Sequence, residues 1–265
     1  MKKLVIVTGL FLLVALVSLL IISRNNRNRD LTDILKDGRL TVLINSGEHG
    51  FTRDSLKVNG FQYEVIKKYA DELGVELVIL HEPDHEQGND ELLKGDCDVI
   101  VSLQPFVADS TLDVVSLVPL IETNLMLVQR TDSSGKRSVT TQYELDAKAI
   151  TVTKASPYKG LIQNLSDDLA IDPQVLEAEY LNLDALVNAV AQGKIEYAVC
   201  PGHLVTRLAG SYPTVDMTLP LTFHLQLGWT IRKSSVVLQD NLNSFLSNFV
   251  GTAEYWTLYN SYFVN

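Results

Sequence analysis

The sequence has 265 residues, of which 46% are hydrophobic, and it carries a formal net charge of −10 with a pI near 4.9. That length and apolar share are enough for one large domain or for two lobes, each with its own core. The acidic balance, with no basic stripe in the sequence, excludes nucleic acid as an expected partner.

An uncharged apolar run, Leu4–Ile22, follows a basic start at the N-terminus. About 19 residues at ~1.5 Å each give ~28 Å of helix, enough to cross a bilayer core. No small-x-small cleavage site ends the run, and the first cysteine is Cys97, so there is no lipoprotein attachment site. We therefore predict an uncleaved signal anchor, with residues 1–29 forming the transmembrane helix and a polar tether.

The stretch Leu40–Leu80 predicts a strand, a polar loop, a helix and a second strand. Leu40–Asn45 is a short apolar run with β-branched residues at its centre. The helix opens at Phe61, continues with apolar residues at the helical period, and ends before Gly74, which suits a left-handed cap. Val75–Leu80 forms the second strand. Such a crossover makes the strands parallel and leaves the first loop at the carboxyl edge of the sheet, where open α/β sheets bind ligands.

The run GFQYEVIKKYADELGVELVIL, residues 60–80, resembles the opening of family 3 extracytoplasmic solute-binding proteins. Within that family it resembles the binding-protein-like domain of membrane-bound lytic murein transglycosylase F. The resemblance covers Leu40 to the C-terminal GTAEYWTLYNSYF segment, without that enzyme's catalytic domain. It implies a type II periplasmic-binding-protein fold, with two α/β lobes joined by a double-strand hinge, after one N-terminal transmembrane helix.

The resemblance also implies where the lobes begin and end. The first lobe takes 30–128, the second takes 129–227, and 228–265 returns to the first. The hinge crossings would lie near Met126–Arg130 and Leu227–Thr230. A repeated pattern of helix, glycine, acidic residue and valine-rich strand end, seen near residues 89–101 and 183–199, favours two similar lobes.

A ligand cleft between the lobes follows from the same resemblance, on four strand-to-helix loops. The candidate ligand-binding residues on those loops are Asn45, Ser46, Glu48, Ser102, Gln104, Asp109, Ser156, Tyr158 and His203. Ser156, at an expected helix start, is either an anion-binding hydroxyl or only a helix N-cap, and both interpretations stay open.

Three positions depart from the family's amino-acid-binding pattern. The arginine that pairs with a ligand carboxylate falls on Asp109, the aspartate that takes the ligand ammonium falls on Pro201, and an aromatic stacking residue falls on Glu48. We therefore expect a ligand other than a standard α-amino acid. If Glu48 and Asp109 both face the cleft, a cation or a neutral hydroxyl- or amide-rich compound is favoured. The alternative, with Asp109 turned outward and Glu48 in solvent, stays open.

The expected function is that of a membrane-anchored solute-binding protein. It would lie in the inner membrane with its soluble domain in the periplasm, bind a small solute by hinge closure, and work with an ABC permease or a cell-wall enzyme. No cofactor or metal is expected, because His81 and His85 in an acidic loop are separated by Pro83, which breaks the helix that would align them.

Two other functions are weighed against solute binding. One is a non-catalytic sensor or regulatory module of cell-wall metabolism. The other is an enzyme resembling cyclohexadienyl dehydratase, with Glu48 and His203 as the acid and base, and we do not expect it. Because Cys97 and Cys200 are predicted in different lobes, both should be free thiols.

Overall fold

A computed structural model of the chain describes residues 29–45, 52–54, 57–82, 85–106, 112–154, 156–179 and 182–264. The chain divides into two compact units. Among the described residues, unit 1 takes those within 29–102, 112–117 and 229–247. Unit 2 is drawn from Leu103–Val107, Val118–Gly228 and Asn248–Asn265. The predicted anchor Leu4–Ile22 lies outside the described residues, and among those described no helix is both long enough and apolar enough to cross a membrane.

Helices and strands alternate along most of the described chain. The helices are α1 Leu31–Asp37, α2 Phe61–Leu73, α3 His85–Lys94, α4 Lys159–Leu169, α5 Leu183–Ala191, α6 Val205–Ser211, α7 Val236–Phe249 and α8 Ala253–Phe263. The strands are β1 Arg39–Asn45, β2 Thr52–Asp54, β3 Lys57–Asn59, β4 Glu76–Glu82, β5 Val99–Pro105, β6 Val114–Ser116, β7 Ile121–Thr123, β8 Leu125–Arg130, β9 Ala149–Val152, β10 Gln174–Glu177, β11 Tyr197–Pro201, β12 Val215–Asp216 and β13 Leu225–Arg232. Short 3₁₀ turns cover Gln142–Leu145 and Gly202–Leu204.

Two larger sheets share one strand order. The first runs β4-β1-β5-β13-β6, with β7 also paired to β13, and the second runs β10-β9-β11-β8-β12. In each sheet the first three strands are parallel and are ordered second, first, third along the chain. In the second sheet the next strand, β8, is antiparallel to β11. This shared order matches the two similar α/β lobes that the repeated sequence pattern predicts.

Local sequence explains the helix that follows β1. Phe61, Val65, Ile66 and Tyr69 of α2 are all buried, as the apolar period predicts. Gly74 ends the helix with φ near 69°, a left-handed conformation that glycine adopts without strain, and its N–H bonds back to the last turn. The acidic loop predicted to hold His81 and His85 is shorter in the structure, because β4 continues to Glu82 and α3 begins at His85.

A buried charge cluster fixes the start of the described chain to unit 1. Arg29 Nε donates to Asp98 Oδ1 at 2.9 Å, and Arg232 lies 3.6 Å from the same oxygen. Asp98 is 0% exposed and also accepts the Thr41 N–H at 2.9 Å. Burial raises the pKa of the Asp98 carboxyl, while Thr41 and the two guanidinium groups act in the opposite direction. The cluster thus joins the chain start to β1, the turn before β5, and β13.

Asp30 caps two helices from the same junction. Its side chain accepts the Leu31 N–H at 2.8 Å at the start of α1, where Asp33 completes a capping box. It also accepts the N–H groups of Val237 and Leu238, at 3.1 and 2.7 Å, at the start of α7. One carboxylate therefore satisfies three backbone donors that helix geometry leaves without internal partners.

Unit 2 has its own apolar core, and a buried amide positions a loop against it. Leu125, Leu127, Ile150 and Val199 are among the residues of this core. Gln129, 0% exposed, donates to the Val139 carbonyl at 2.7 Å and accepts the Val139 N–H at 2.9 Å. The side-chain amide of Gln129 thus pairs with both backbone groups of Val139 and holds the loop after β8 in place.

The observed division of the chain differs from the predicted lobe boundaries. The predicted crossing Met126–Arg130 lies inside β8, which pairs with β11 and therefore belongs to the sheet of unit 2. The chain instead enters unit 2 after Leu117 and returns to unit 1 after Gly228, which is within the predicted second crossing. Residues 248–265 also group with unit 2 rather than with the first lobe, since Tyr255 Oη donates to the Leu120 carbonyl at 2.6 Å.

The two chain crossings are neighbouring antiparallel segments. In unit 1 the Leu117 N–H donates to the Trp229 carbonyl at 2.8 Å, and in unit 2 the Leu120 N–H donates to the Leu227 carbonyl at 2.9 Å. The segment between β6 and β7 therefore runs beside β13.

Both cysteines are free and buried, which confirms the prediction of two free thiols. Cys97 lies just before β5 in unit 1, and Cys200 lies within β11 in unit 2. Burial raises the pKa of the Cys200 thiol to about 12. Both thiols therefore serve as small apolar core groups.

Candidate functional site

The carboxyl edge of the unit 1 sheet brings two predicted site residues together. β1 and β5 are adjacent and parallel, and Ile44 is paired with Val101. Asn45 and Ser102 each follow that pair by one residue, so they are at the same level on neighbouring strands. Ser102 is only 2% exposed, and Asn45 is half-buried. A hydroxyl and an amide at this edge are the kind of small polar groups that orient a ligand.

A buried glutamine holds Asn45 in place. Gln62, 1% exposed, donates from Nε2 to Asn45 Oδ1 at 3.3 Å and accepts from Trp229 Nε1 at 3.0 Å. Gln62 is not among the predicted site residues. The sequence does contain a feature that indicates its burial, since Gln62 lies at helical spacing from Val65 and Tyr69 on the buried face of α2. A polar residue on such a face needs partners, and here the partners are Asn45 and Trp229.

Gln104 follows Ser102 on β5 but groups with unit 2. It is half-buried near the end of the strand. Three further predicted site residues, Ser46, Glu48 and Asp109, lie outside the described residues. The ligand preference expected from the carboxylates of Glu48 and Asp109 therefore stays a prediction.

The carboxyl edge of the unit 2 sheet places Ser156 and Tyr158 after β9. The helix α4 begins only at Lys159, with Tyr158 at its N-cap position and no side-chain cap. Ser156 is therefore not the N-cap. Its Oγ instead accepts the Tyr158 N–H at 3.3 Å, and its own N–H donates to the Thr153 carbonyl, because the chain makes a turn before the helix starts. Tyr158 packs on the unit 2 core, and burial raises the pKa of its hydroxyl.

β11 runs parallel to β9 and ends at Pro201, so the Gly202–Leu204 turn lies at the same edge. The His203 N–H donates to Thr123 Oγ1 at 2.9 Å. The imidazole ring of His203 meets the ring of Phe263 edge-on, with centroids 5.1 Å apart. It also lines a cavity of about 470 Å³ within unit 2. The structure thus places His203 against the C-terminal helix α8, a contact that its position in the sequence does not reveal.

Position 202 requires glycine because the Asn124 side chain lies very close to its backbone. Its N–H donates to the Asn124 carbonyl at 2.7 Å, and a Cβ on Gly202 would lie 2.0 Å from Asn124 Oδ1. Thr123 and Asn124 were not among the predicted site residues. Their signal is the polar Thr-Asn pair that interrupts the apolar run from Val114 to Arg130.

No group of three or more histidine, cysteine, aspartate or glutamate residues that could bind a metal ion occurs in the described part of the chain. The described strand-end residues offer hydroxyl, amide, phenol and imidazole groups, which suit hydrogen bonding to a small organic ligand.

Two α/β units with a shared strand order define a type II periplasmic-binding-protein fold, and solved structures agree with this class. An amino acid ABC transporter substrate-binding protein from Streptococcus pneumoniae, bound to L-arginine, superposes with a TM-score of 0.71 at 15% identity. The alignment covers 88% of this chain and 98% of that protein. At this identity the likeness shows the fold.

Among curated proteins, the chain is similar to membrane-bound lytic murein transglycosylase F. The relative from Desulfosudis oleivorans is 21% identical over 235 residues, which are 89% of this chain and 51% of the relative. The relative from Pseudomonas fluorescens is 24% identical over 246 residues, 92% of this chain and 48% of the relative. The chain spans about half the length of these relatives. No family model matches the chain. The resemblance seen in the sequence is confirmed.

Proposed function

We propose that the chain is an extracytoplasmic solute-binding module that takes a small organic ligand at the carboxyl edges of its parallel strands. The observation that carries this proposal is that each unit positions polar residues at that edge. Asn45 and Ser102 do so in unit 1, and Ser156 and Tyr158 do so in unit 2. The fold of amino-acid-binding proteins supports the same role. Ligand capture by hinge closure is part of the proposal, and we assign no catalytic residues.

The preferred ligand is proposed to differ from a standard α-amino acid. Pro201 stands where the resembling family has an aspartate for the ligand ammonium, and a proline side chain offers no acceptor. The backbone N–H of the next residue, Gly202, already donates to the Asn124 carbonyl. A neutral hydroxyl- or amide-rich compound, or a cation held by Glu48 and Asp109, fits this proposal.

The proposed location is the inner membrane, with Leu4–Ile22 as a single-pass anchor and the described units in the periplasm. The uncharged apolar run supports the anchor, and similarity to proteins named membrane-bound supports the location. An ABC permease or a cell-wall enzyme is the proposed partner. A fusion of alkaline phosphatase to the C-terminus tests the orientation, because that enzyme is active only outside the cytoplasm. An inactive fusion on a well-expressed chain would contradict the proposal.

Thermal shift of the full-length chain against glutamate, glutamine, arginine, polyamines and muropeptides tests ligand binding, and small-angle scattering of each hit tests closure. We expect at least one hit, with a smaller radius of gyration in its presence. Ser102→Ala should weaken the hit about tenfold, since Ser102 is buried at the strand edge. Ser244→Ala, an exposed serine on α7, is the matched control and should change nothing. No stabiliser in the library, or tight glutamate binding, would count against the proposal.

A second candidate is a non-catalytic sensor or regulatory module of cell-wall metabolism. The observation that favours it is the similarity to transglycosylase F over about half of that protein's length. Site-specific photo-crosslinking from exposed positions of unit 2, with a purified lytic transglycosylase and a purified permease, separates the two candidates. Crosslinking to the transglycosylase alone would favour the regulatory role.

A further inference from the structure

A cavity within unit 2 combines exposed aromatic rings with planar polar groups. Its volume of about 470 Å³ falls within the range of small-molecule sites. The residues that matter for its chemistry are Glu122, Asn124, His203, Phe223, His224 and Tyr259. We call this cavity the unit 2 pocket.

The aromatic part of the unit 2 pocket combines one exposed ring with one that is packed against its neighbours. Phe223 is 71% exposed, so its ring is accessible to a ligand. Tyr259 is held by neighbouring rings of α8, with centroid distances of 5.4 Å to Trp256 and 4.8 Å to Phe263. Trp256 is itself 50% exposed and continues the aromatic surface beyond Tyr259. Aromatic rings are therefore available to a ligand at the pocket.

The polar part of the unit 2 pocket consists of planar carboxylate, amide and imidazole groups, each of which can form more than one hydrogen bond. Gln226 Nε2 donates to Glu122 Oε1 at 3.1 Å, which orients the carboxylate. The Asn124 amide lies where a side chain on residue 202 would clash, so Gly202 leaves room for it. His203 and His224 add two imidazoles, each able to donate and accept when neutral.

The charge of the lining narrows the ligand class. Glu122 is the single carboxylate among the described lining residues, and none of them is lysine or arginine. A phosphate or a free acid would meet Glu122 without a cationic partner, which disfavours an anion.

We propose that the unit 2 pocket binds a neutral sugar ring. A pyranose has a C–H face that packs on aromatic rings and an edge of hydroxyl groups that suits amide, imidazole and carboxylate side chains. In this arrangement the C–H face lies on Phe223 and Tyr259, and the hydroxyl edge meets Glu122, Asn124 and the imidazoles. The proposal goes beyond the proposed solute site, because Asn45, Ser102, Ser156 and Tyr158 do not line this pocket. Of the predicted ligand-binding residues, His203 is the one among its lining residues.

The test titrates the full-length chain with N-acetylglucosamine, its β-1,4-linked disaccharide and glucose. Of the two tryptophans, Trp229 is buried and Trp256 is half exposed next to Tyr259, so the fluorescence of Trp256 reports binding at the pocket. Saturation-transfer NMR shows which sugar protons contact the protein. Phe223→Ala should weaken binding about tenfold without changing the circular dichroism spectrum, because the ring is mostly exposed. Tyr143→Ala removes a ring that is 64% exposed and outside the pocket, and it should leave binding unchanged.

Three results would overturn the assignment. One is the absence of binding by any of the three sugars up to about 10 mM. Another is sugar binding with equal affinity in the wild type and Phe223→Ala. The third is displacement of the sugars by putrescine, with amine binding that depends on Phe223, which would show an amine site. Each leaves the solute-binding proposal standing, since that proposal is tested by the Ser102 variant and the solute library.

Discussion

The buried charge cluster at the start of the described chain gives a prediction with a large expected effect. In Asp98→Asn the volume is kept, but the negative charge between Arg29 and Arg232 is lost. Asp98 is 0% exposed, so water does not replace the missing charge. Removing one partner of a buried ion pair costs ~3–5 kcal/mol because the remaining charge is left uncompensated. The amide introduced by this substitution can still accept the Thr41 N–H, which places the expected cost near ~3 kcal/mol.

Urea unfolding followed by circular dichroism measures this cost as a change in transition midpoint. Two units do not guarantee a single transition, so the fluorescence of the buried Trp229 follows unit 1 separately in a Trp256→Phe background. Asp71→Ala is the matched control, since it breaks an exposed ion pair with Lys67 and should cost under about 0.5 kcal/mol. If Asp98→Asn costs no more than the control, the cluster is solvated and the argument from burial fails.

Three further predictions follow from single contacts. Burial raises the pKa of the Cys200 thiol from an ordinary value of 9.0 to about 12, so between these pH values the folded thiol stays protonated while the unfolded thiol ionises. The protein should therefore lose stability as the pH rises from 9 to 12, and Cys200→Ala should show a shallower loss in urea unfolding at alkaline pH. Asp30→Ala should lower the unfolding free energy by about 2 kcal/mol and speed hydrogen exchange of the Val237 and Leu238 amides in the first turn of α7, and unchanged exchange would contradict the double cap. Gly202→Ala should displace the Asn124 side chain and cost about 1 kcal/mol in a thermal melt, whereas a more stable variant would show that the approach is looser than described.

Much of the secondary structure follows from local pattern. The apolar period and the terminal Gly74 predict α2 from Phe61, and the helix predicted within the repeat near 183–199 is α5, Leu183–Ala191, in the structure. In both cases a helical hydrophobic face is bounded by a residue with a clear capping preference, so neighbours in sequence decide the outcome. Ser156 shows the limit of this reasoning, because a hydroxyl before a helix is equally compatible with a turn two residues earlier.

The local sequence pattern could not predict features that depend on contacts between residues far apart in the chain. β8 is an apolar strand that would suit either unit, and only its pairing with β11 assigns it to unit 2. The same holds for His203, whose ring packs on Phe263, 60 positions further along the chain. Gln62 was missed because its partner Trp229 follows 167 residues later. Local periodicity does not encode these pairings, whereas the topology of the sheets does.

The position of β13 in the first sheet sets the order in which the chain can finish folding. β13 lies between β5 and β6, so the sheet has a gap at its centre until Arg232 has been synthesised. The longest segment of unit 2, Val118–Gly228, is continuous and complete before that point. Domains fold as units during synthesis, and contacts between distant residues form late because closing long loops is slow. We therefore expect the second sheet, whose strands all lie within Val118–Gly228, to form before the first sheet is complete. Unit 1 then closes when the last strand and α7 arrive, and until that moment its central strand edges are exposed to chaperones.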